Sequence, residues 1–181
     1  VGAGIQIGSN GTKVLYALGL GSALEKVAFK PQAAEMRLGD SGRVIFALPL
    51  GDSVEKRYHS PYLNIHRADL QRILVDAVRE KAPNAIHLSH EVKELEQTSE
   101  QVTVHFLNGE SAQGDILIGA DGIRSVIRKE LFDIEDGQFT GMAAWRMTVP
   151  TNRLPKNLVP PKATVWVGAG KHVVTYYLRG G

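Results

Sequence analysis

The chain has 181 residues, is 43% apolar, carries a formal charge of +2 and contains no cysteine. That content suits one or two small layers around a core, and it rules out disulfides, thiolate metal sites and a cysteine nucleophile. No Lys/Arg block marks a nucleic-acid surface, no apolar run reaches the ~20 residues of a membrane span, and the start does not read as a signal peptide. A cysteine-free chain fits a reducing, cytoplasmic setting. With Val1 in place of an initiator Met, the chain is expected to begin inside a longer protein.

The first stretch, VGAGIQIGSNG at Val1–Gly11, resembles a dinucleotide-binding loop. A strand must feed such a loop, and only Val1 precedes Gly2. The third glycine, Gly8, comes one place late, and Glu25 lies in a helical pattern rather than at a strand end. The better expectation is a short strand from Gly4 to Ile7, then a helix capped by Ser9 or Asn10 with Val14, Leu15 and Leu18 as its stripe. Gly19 and Gly21 interrupt that helix, and a second short one runs through Val27.

Met36 to Leu50 reads as a hairpin around the GDSG turn at Gly39–Gly42, and Gly51–Pro61 as a polar loop. Tyr62–His66 is a short strand. The strongest helix follows, with Leu70, Ile73, Leu74, Ala77 and Val78 at helical spacing; Asp69 favours its start and Pro83 stops it. Ile86–Leu95 and Val102–Phe106 pair as strands. His87 and His90 then fall on opposite faces of one strand, which excludes a shared metal. Asp115–Gly119 is nearly all apolar, as a strand buried on both faces should be. A helix is expected at Ser125–Phe132, and strands at Gly141–Val149, Ala163–Val167 and His172–Leu178. The fold class is α/β (α+β), turning β-rich towards the end.

Three constellations could carry chemistry. In GADGIRS, Gly119–Ser125, a carboxylate follows the end of a buried strand between two glycines. Asp121 there either accepts hydrogen bonds from ribose hydroxyls or caps the next helix. Arg67 sits where a strand becomes a helix; it either forks onto a phosphate or flavin edge or is a surface arginine paired with Asp69 or Glu94. In HVVTYYL, strand alternation puts His172, Val174 and Tyr176 on one face, which either lines a pocket for a polar aromatic molecule or faces solvent. Trp145 and Arg146 fall on opposite faces of a neighbouring expected strand. GLGSA and GIRSV lack the second glycine of a nucleophile elbow, so a serine hydrolase is not indicated.

GADGIRS resembles the aspartate-glycine motif of the FAD-dependent aromatic hydroxylases, the single-component flavoprotein monooxygenases. VGAGIQIGSNGTKVLYALGL resembles the segment that follows their true GxGxxG and acidic second strand. YLNIHRADLQRIL and the closing HVVTYYLRGG also match, in the same order. The nearest branch is that of salicylate hydroxylase and 3-hydroxybenzoate 6-hydroxylase. The resemblance implies part of a Rossmann-like FAD-binding domain over residues 1–135, with an inserted β-rich substrate domain beginning at 136–181 and the 28–60 hairpin contributing to it. It implies FAD, with NADH or NADPH as reductant, and O2 and a small aromatic acid such as salicylate or a hydroxybenzoate as substrates. No nucleic acid, membrane or metal is implied, and a homodimer is allowed for. By resemblance, backbone at Ala3 and Gly4 lies near the flavin, Arg67 contacts the flavin side, Val92 offers backbone to the adenine end, and Asp121 binds ribose or pyrophosphate. His172 and Tyr176 are the candidates for the substrate pocket. The family's phosphate cradle and its later GDAAHP motif have no counterpart here, so the chain is expected to be an internal segment that neither holds FAD tightly nor turns over alone. Without the first strand of such a fold, Ile116–Ile118 would expose an apolar edge. A non-benzoate ring (urate-like, quinolone or polyketide), or a flavin-binding relative without hydroxylation, stay open as alternatives.

Overall fold

The computed structural model describes residues 3–132, 134 and 137–181; Gly2 of the opening stretch lies outside them. The chain divides into two compact units. One takes the chain up to Ala82 together with Trp145–Gly181, and the other is Pro83–Ala144.

In the first unit, β1 (Gly4–Ile7) pairs antiparallel with β4 (Leu63–His66), Gly4 opposite His66. Helices α1 (Ser9–Ala17), α2 (Gly21–Glu25) and α4 (Arg67–Lys81) accompany this ribbon. Leu24, Leu63 and Ile65 are fully buried and Leu20 nearly so, with Ile7, Leu15, Tyr16, Leu70, Ile73 and Ala77 packed around them. The cap of α1 differs from expectation: Gly8 occupies that position and no side chain bonds there. Val14 and Leu18 are exposed, and the buried residue of α1 is Thr12. Its hydroxyl lies 2.6 Å from the Pro61 carbonyl and 2.9 Å from Ser60 Oγ, so a polar contact anchors the inner face of this helix. The polar stretch after Gly51 contains a helix, α3 (Asp52–Tyr58). It buries nothing, so it has no apolar stripe to announce it. Asp52 and Glu55 in its first turn and Lys56 and Arg57 in its last suit the helix dipole.

The same unit holds a four-stranded sheet in the order β3-β2-β8-β9. The expected hairpin supplies β2 (Ala33–Leu38) and β3 (Val44–Pro49); β8 (Ala163–Gly168) and β9 (Lys171–Thr175) come from the far end of the chain. Pairing of β2 with β8 is parallel, Met36 opposite Val165 and Arg37 opposite Trp166.

In the second unit, β5 (Val92–Gln97), β6 (Val102–Phe106) and β7 (Ser111–Gly114) form an antiparallel meander, with α5 (Val126–Phe132) against β5. Val102, Val104 and Ile127 are buried. Strand β5 starts later than the sequence pattern suggests. Ser89 takes a positive φ of 63°, and His90 bonds the Leu88 carbonyl, which breaks extended backbone before Val92. His87 and His90 therefore do not sit on opposite strand faces; their rings meet edge-on with centroids 5.5 Å apart.

Two expected strands are absent. Residues 115–119 have no regular structure, and Ile116 and Ile118 are each 82% exposed. Residues 141–149 have none either, and Trp145 is 95% exposed. A strand is held by neighbours, and among the described residues none pairs with either segment.

Candidate functional site

In the first unit the start of β1, the start of α4 and the segment after β9 come together. The Arg67 backbone N–H donates to the Ala3 carbonyl at 3.2 Å. His66 caps α4, its Nδ1 accepting from the Ala68 N–H at 3.3 Å. The Arg67 side chain is exposed, without a hydrogen-bond or ion-pair partner among the described residues. Its expected alternatives do not form: Glu94 pairs with Lys93, and Asp69 pairs elsewhere.

Gly4 is the seat of Tyr176. A Cβ on Gly4 would lie 2.7 Å from Tyr176 Oη, closer still to the ring edge, and 2.9 Å from Leu178 Cδ2. Only a residue without a side chain lets the Tyr176 ring rest there. Burial raises the Tyr176 hydroxyl above its ordinary pKa, with the Arg146 charge opposing. At neutral pH it is a neutral phenol that can donate its O–H. Tyr62 is raised as well, by burial first and then by Tyr176.

His172 lies on β9 opposite Val167, and Val174 lies opposite Val165. Through the register, Phe46 and Leu48 of β3, Met36 and Leu38 of β2 and Val165 and Val167 of β8 share their face. That face is apolar apart from His172, which is exposed at the sheet edge. Glu35 and Arg37 share the other face with Thr164 and Trp166. There Glu35 is buried and held by Lys162 and by Arg37 at 2.9 Å. The strand ends at Thr175, so Tyr176 lies one residue beyond it, and no bond among the described residues joins His172 to Tyr176.

In the second unit, Val92 opens β5 opposite Phe106 and is half-buried. Asp121 is exposed, and its carboxylate closes the start of α5. It accepts from Ser125 Oγ at 2.5 Å, from the Val126 N–H at 2.8 Å and from the Ile127 N–H at 3.2 Å. The Ser125 hydroxyl, ahead of the backbone donors, holds the Asp121 carboxyl below its ordinary pKa. The cap reading of this residue is thus realised, and a carboxylate with about four acceptor sites keeps room for a further donor. A concavity of about 290 Å³ in this unit is lined by Leu95, Thr98, Val102, Ile116 and Leu131. None of the candidate residues lines it. Among the described residues, no three His, Asp or Glu side chains cluster as a metal site, and no helix is long and apolar enough to cross a membrane.

Residues 11–174 match the family described as FAD binding domain. The chain belongs to this FAD-binding family. It is 37% identical over 182 residues to the 3-amino-4-hydroxybenzoate 2-monooxygenase of Streptomyces cremeus, covering 100% of this chain and 45% of that protein. It is 33% identical over 181 residues both to the 6-hydroxynicotinate 3-monooxygenase of Pseudomonas fluorescens, at 99% and 46% coverage, and to the 3-hydroxybenzoate 6-hydroxylase of Polaromonas naphthalenivorans (strain CJ2), at 100% and 45%. A salicylate hydroxylase substrate complex superposes with a TM-score of 0.77 at 25% identity, over 99% of this chain and 46% of that one. Klebsiella pneumoniae HpxO with FAD and uric acid gives 0.74 at 25% identity, over 100% and 45%. The chain thus spans about half the length of the relatives it matches. The resemblance to flavoprotein aromatic hydroxylases read from the motifs stands, and so does the mixed α/β fold.

The donor set fits a flavin dinucleotide. Arg67 presents an exposed, uncommitted guanidinium in the first turn of α4, and its backbone N–H meets the Ala3 carbonyl; a helix N-terminus favours an anionic or electron-rich group. Sequence reasoning missed Asp69 as a partner of Arg179 and missed the fit of Tyr176 on Gly4, because both join residues far apart in the chain. It also missed Asn64, which is fully buried with neither end of its amide bonded among the described residues; no local signal marks it.

Proposed function

We propose that the intact protein is an FAD- and NAD(P)H-dependent monooxygenase that hydroxylates a phenolic or aromatic acid of the hydroxybenzoate kind. The observation that carries this reading is the FAD-binding family match over residues 11–174, together with relatives named for oxidising hydroxylated aromatic acids. The overall change is balanced: ring C–H, O2, NAD(P)H and a proton give ring C–OH, water and NAD(P)+. FAD, when bound, supplies the route from the nicotinamide's electrons to O2.

The chain's own residues bind and orient. Arg67 holds the flavin side with the backbone of Ala3 and Gly4, Val92 offers backbone to the adenine end, and Asp121 accepts a hydrogen bond from a ribose hydroxyl or from a water that bridges to the pyrophosphate. Tyr176, a neutral phenol near pH 7, donates to an oxygen of the aromatic acid. His172 supplies a polar edge to an apolar sheet face broad enough for a ring. We read the four-stranded sheet as the beginning of the substrate domain, and the cytoplasm, where nicotinamides are at hand, as the site of action.

The test is NADH and NADPH oxidation by the intact, FAD-loaded protein with salicylate, 3-hydroxybenzoate and 3-amino-4-hydroxybenzoate. Stimulated oxidation with a matching hydroxylated product supports the reading; none with any of them, at full FAD occupancy, refutes it. A urate-like ring is the second reading, favoured by the likeness to HpxO with uric acid. Urate in the same assay decides between the two.

A further inference from the structure

The segment after β9 is pinned from Tyr176 to Arg179. Tyr176 and Leu178 rest on Gly4. The Tyr177 hydroxyl donates to the Val159 carbonyl at 2.5 Å, and its ring meets Phe29 edge-on with centroids 5.3 Å apart. Arg179 forks onto Asp69, Nε to Oδ2 at 2.8 Å and Nη2 to Oδ1 at 3.1 Å. Arg179 also takes a φ of 52°, a region that side chains other than glycine rarely adopt, and the Gly181 N–H closes the turn onto the Leu178 carbonyl at 3.0 Å. A two-pronged charge-assisted bond is the interaction suited to hold such a turn in one geometry.

The acceptor of that fork is unusual for its place. Asp69 is 4% exposed in the first turn of α4, although Arg179 and Arg72 reach it from solvent. It lies two residues after Arg67, whose backbone is tied to Ala3 next to Gly4. One buried carboxylate therefore joins the helix start that carries Arg67 to the strap that carries Tyr176.

We propose that Asp69 is a positioning residue which, through Arg179, fixes the Tyr176 ring over Gly4 in register with Arg67. The proposal rests on the reading of Tyr176 as a substrate-side group. Asp69 touches neither flavin nor substrate in this scheme. It sets the distance between the group that faces one and the group that faces the other.

The experiment uses the intact FAD-loaded protein labelled with 3-fluorotyrosine, the Tyr176 resonance being assigned by Tyr176→Phe. Arg179→Gln removes the fork from the exposed side without burying a new group, Asp69→Asn removes its charge, and Arg179→Lys keeps a cation. Arg179→Gln and Asp69→Asn are expected to shift or broaden the Tyr176 resonance. They should also raise KM for the best aromatic substrate about tenfold, within the ~10²-fold that a ~1 Å misplacement of an orienting group can cost. Arg179→Lys should recover part of both. An unchanged Tyr176 resonance in folded Arg179→Gln overturns the proposal, even where coupling falls. A moved resonance with wild-type KM and coupling upholds the positioning role and instead removes Tyr176 from the substrate side.

Discussion

Replacing Gly4 by alanine adds one methyl group where the structure has no room for it. The new Cβ would sit 2.7 Å from Tyr176 Oη and 2.9 Å from Leu178 Cδ2, whereas an ordinary contact begins at 3.4 Å. The tyrosine hydroxyl must therefore retreat by at least ~0.7 Å, the difference between those two distances. Overpacking of this kind costs about 1–3 kcal/mol. The ring is half-buried and can swing towards solvent, which places the cost near 1–2 kcal/mol. For a chain of this size that lowers Tm by about 3–6 °C. The larger effect is on function, because displacement of an orienting group by about 1 Å can cost 10²-fold in rate. The assays are thermal unfolding and hydroxylated product formed per NADH consumed, on wild type, Gly4→Ala, Tyr176→Ala and the double variant. Gly4→Ala should uncouple, consuming NADH with little product. In the double variant, the stability cost of the methyl should shrink by at least about 0.5 kcal/mol, since the clash partner is gone. Wild-type Tm and coupling in Gly4→Ala would refute the contact between Gly4 and Tyr176 as drawn here.

Arg67→Ala should weaken FAD binding about ten- to a hundredfold, the worth of a charge-assisted hydrogen bond, with Tm unchanged because the side chain has no protein partner to lose; Arg72→Ala removes only the 3.4 Å contact of an exposed guanidinium with Asp69, which keeps its Arg179 fork, and should leave flavin retention through gel filtration intact. Asp121→Ala should fray α5, read as faster amide exchange at Val126 and Ile127. The pH sign is that of a depressed acid: the cap stabilises above the ordinary 3.8 and is lost as pH falls through the lowered folded value. His90 has Nδ1 2.7 Å from the Leu88 carbonyl and Nε2 2.8 Å from Glu110, so both nitrogens need a proton and its pKa is raised, by the carbonyl first and then by Glu110. Its contribution is complete below 6.5 and is lost as pH rises through the raised folded value. Amide protection at Glu91 and Val92 should fall across that window in wild type, and a flat profile there, identical to that of His90→Gln, would remove the clamp.

Local pattern was enough for much of this protein. The spacing of Leu70, Ile73 and Ala77 marks α4, the alternation of Val102 and Val104 marks β6, and the GDSG turn marks the hairpin of β2 and β3, because each signal lies within a few residues of the element it describes. The family, too, was legible, in motifs that keep their order along the chain. What the sequence alone did not decide was every feature that depends on a distant partner. Asp115–Gly119 reads as a buried strand, yet with no neighbouring strand among the described residues its apolar side chains stand exposed. Asp69 reads as an ordinary helix-start carboxylate, and only folding brings it to Arg179, 110 residues away, to form a fork that is invisible to any periodicity. Asp121 reads in the sequence as ligand or cap, and the backbone N–H groups of Val126 and Ile127 that donate to it make the cap real. Gly4 reads as the first residue of a short strand; tertiary structure makes it the floor beneath an aromatic ring, since what forbids a side chain there is not its own backbone angle but the atoms of Tyr176 and Leu178 above it.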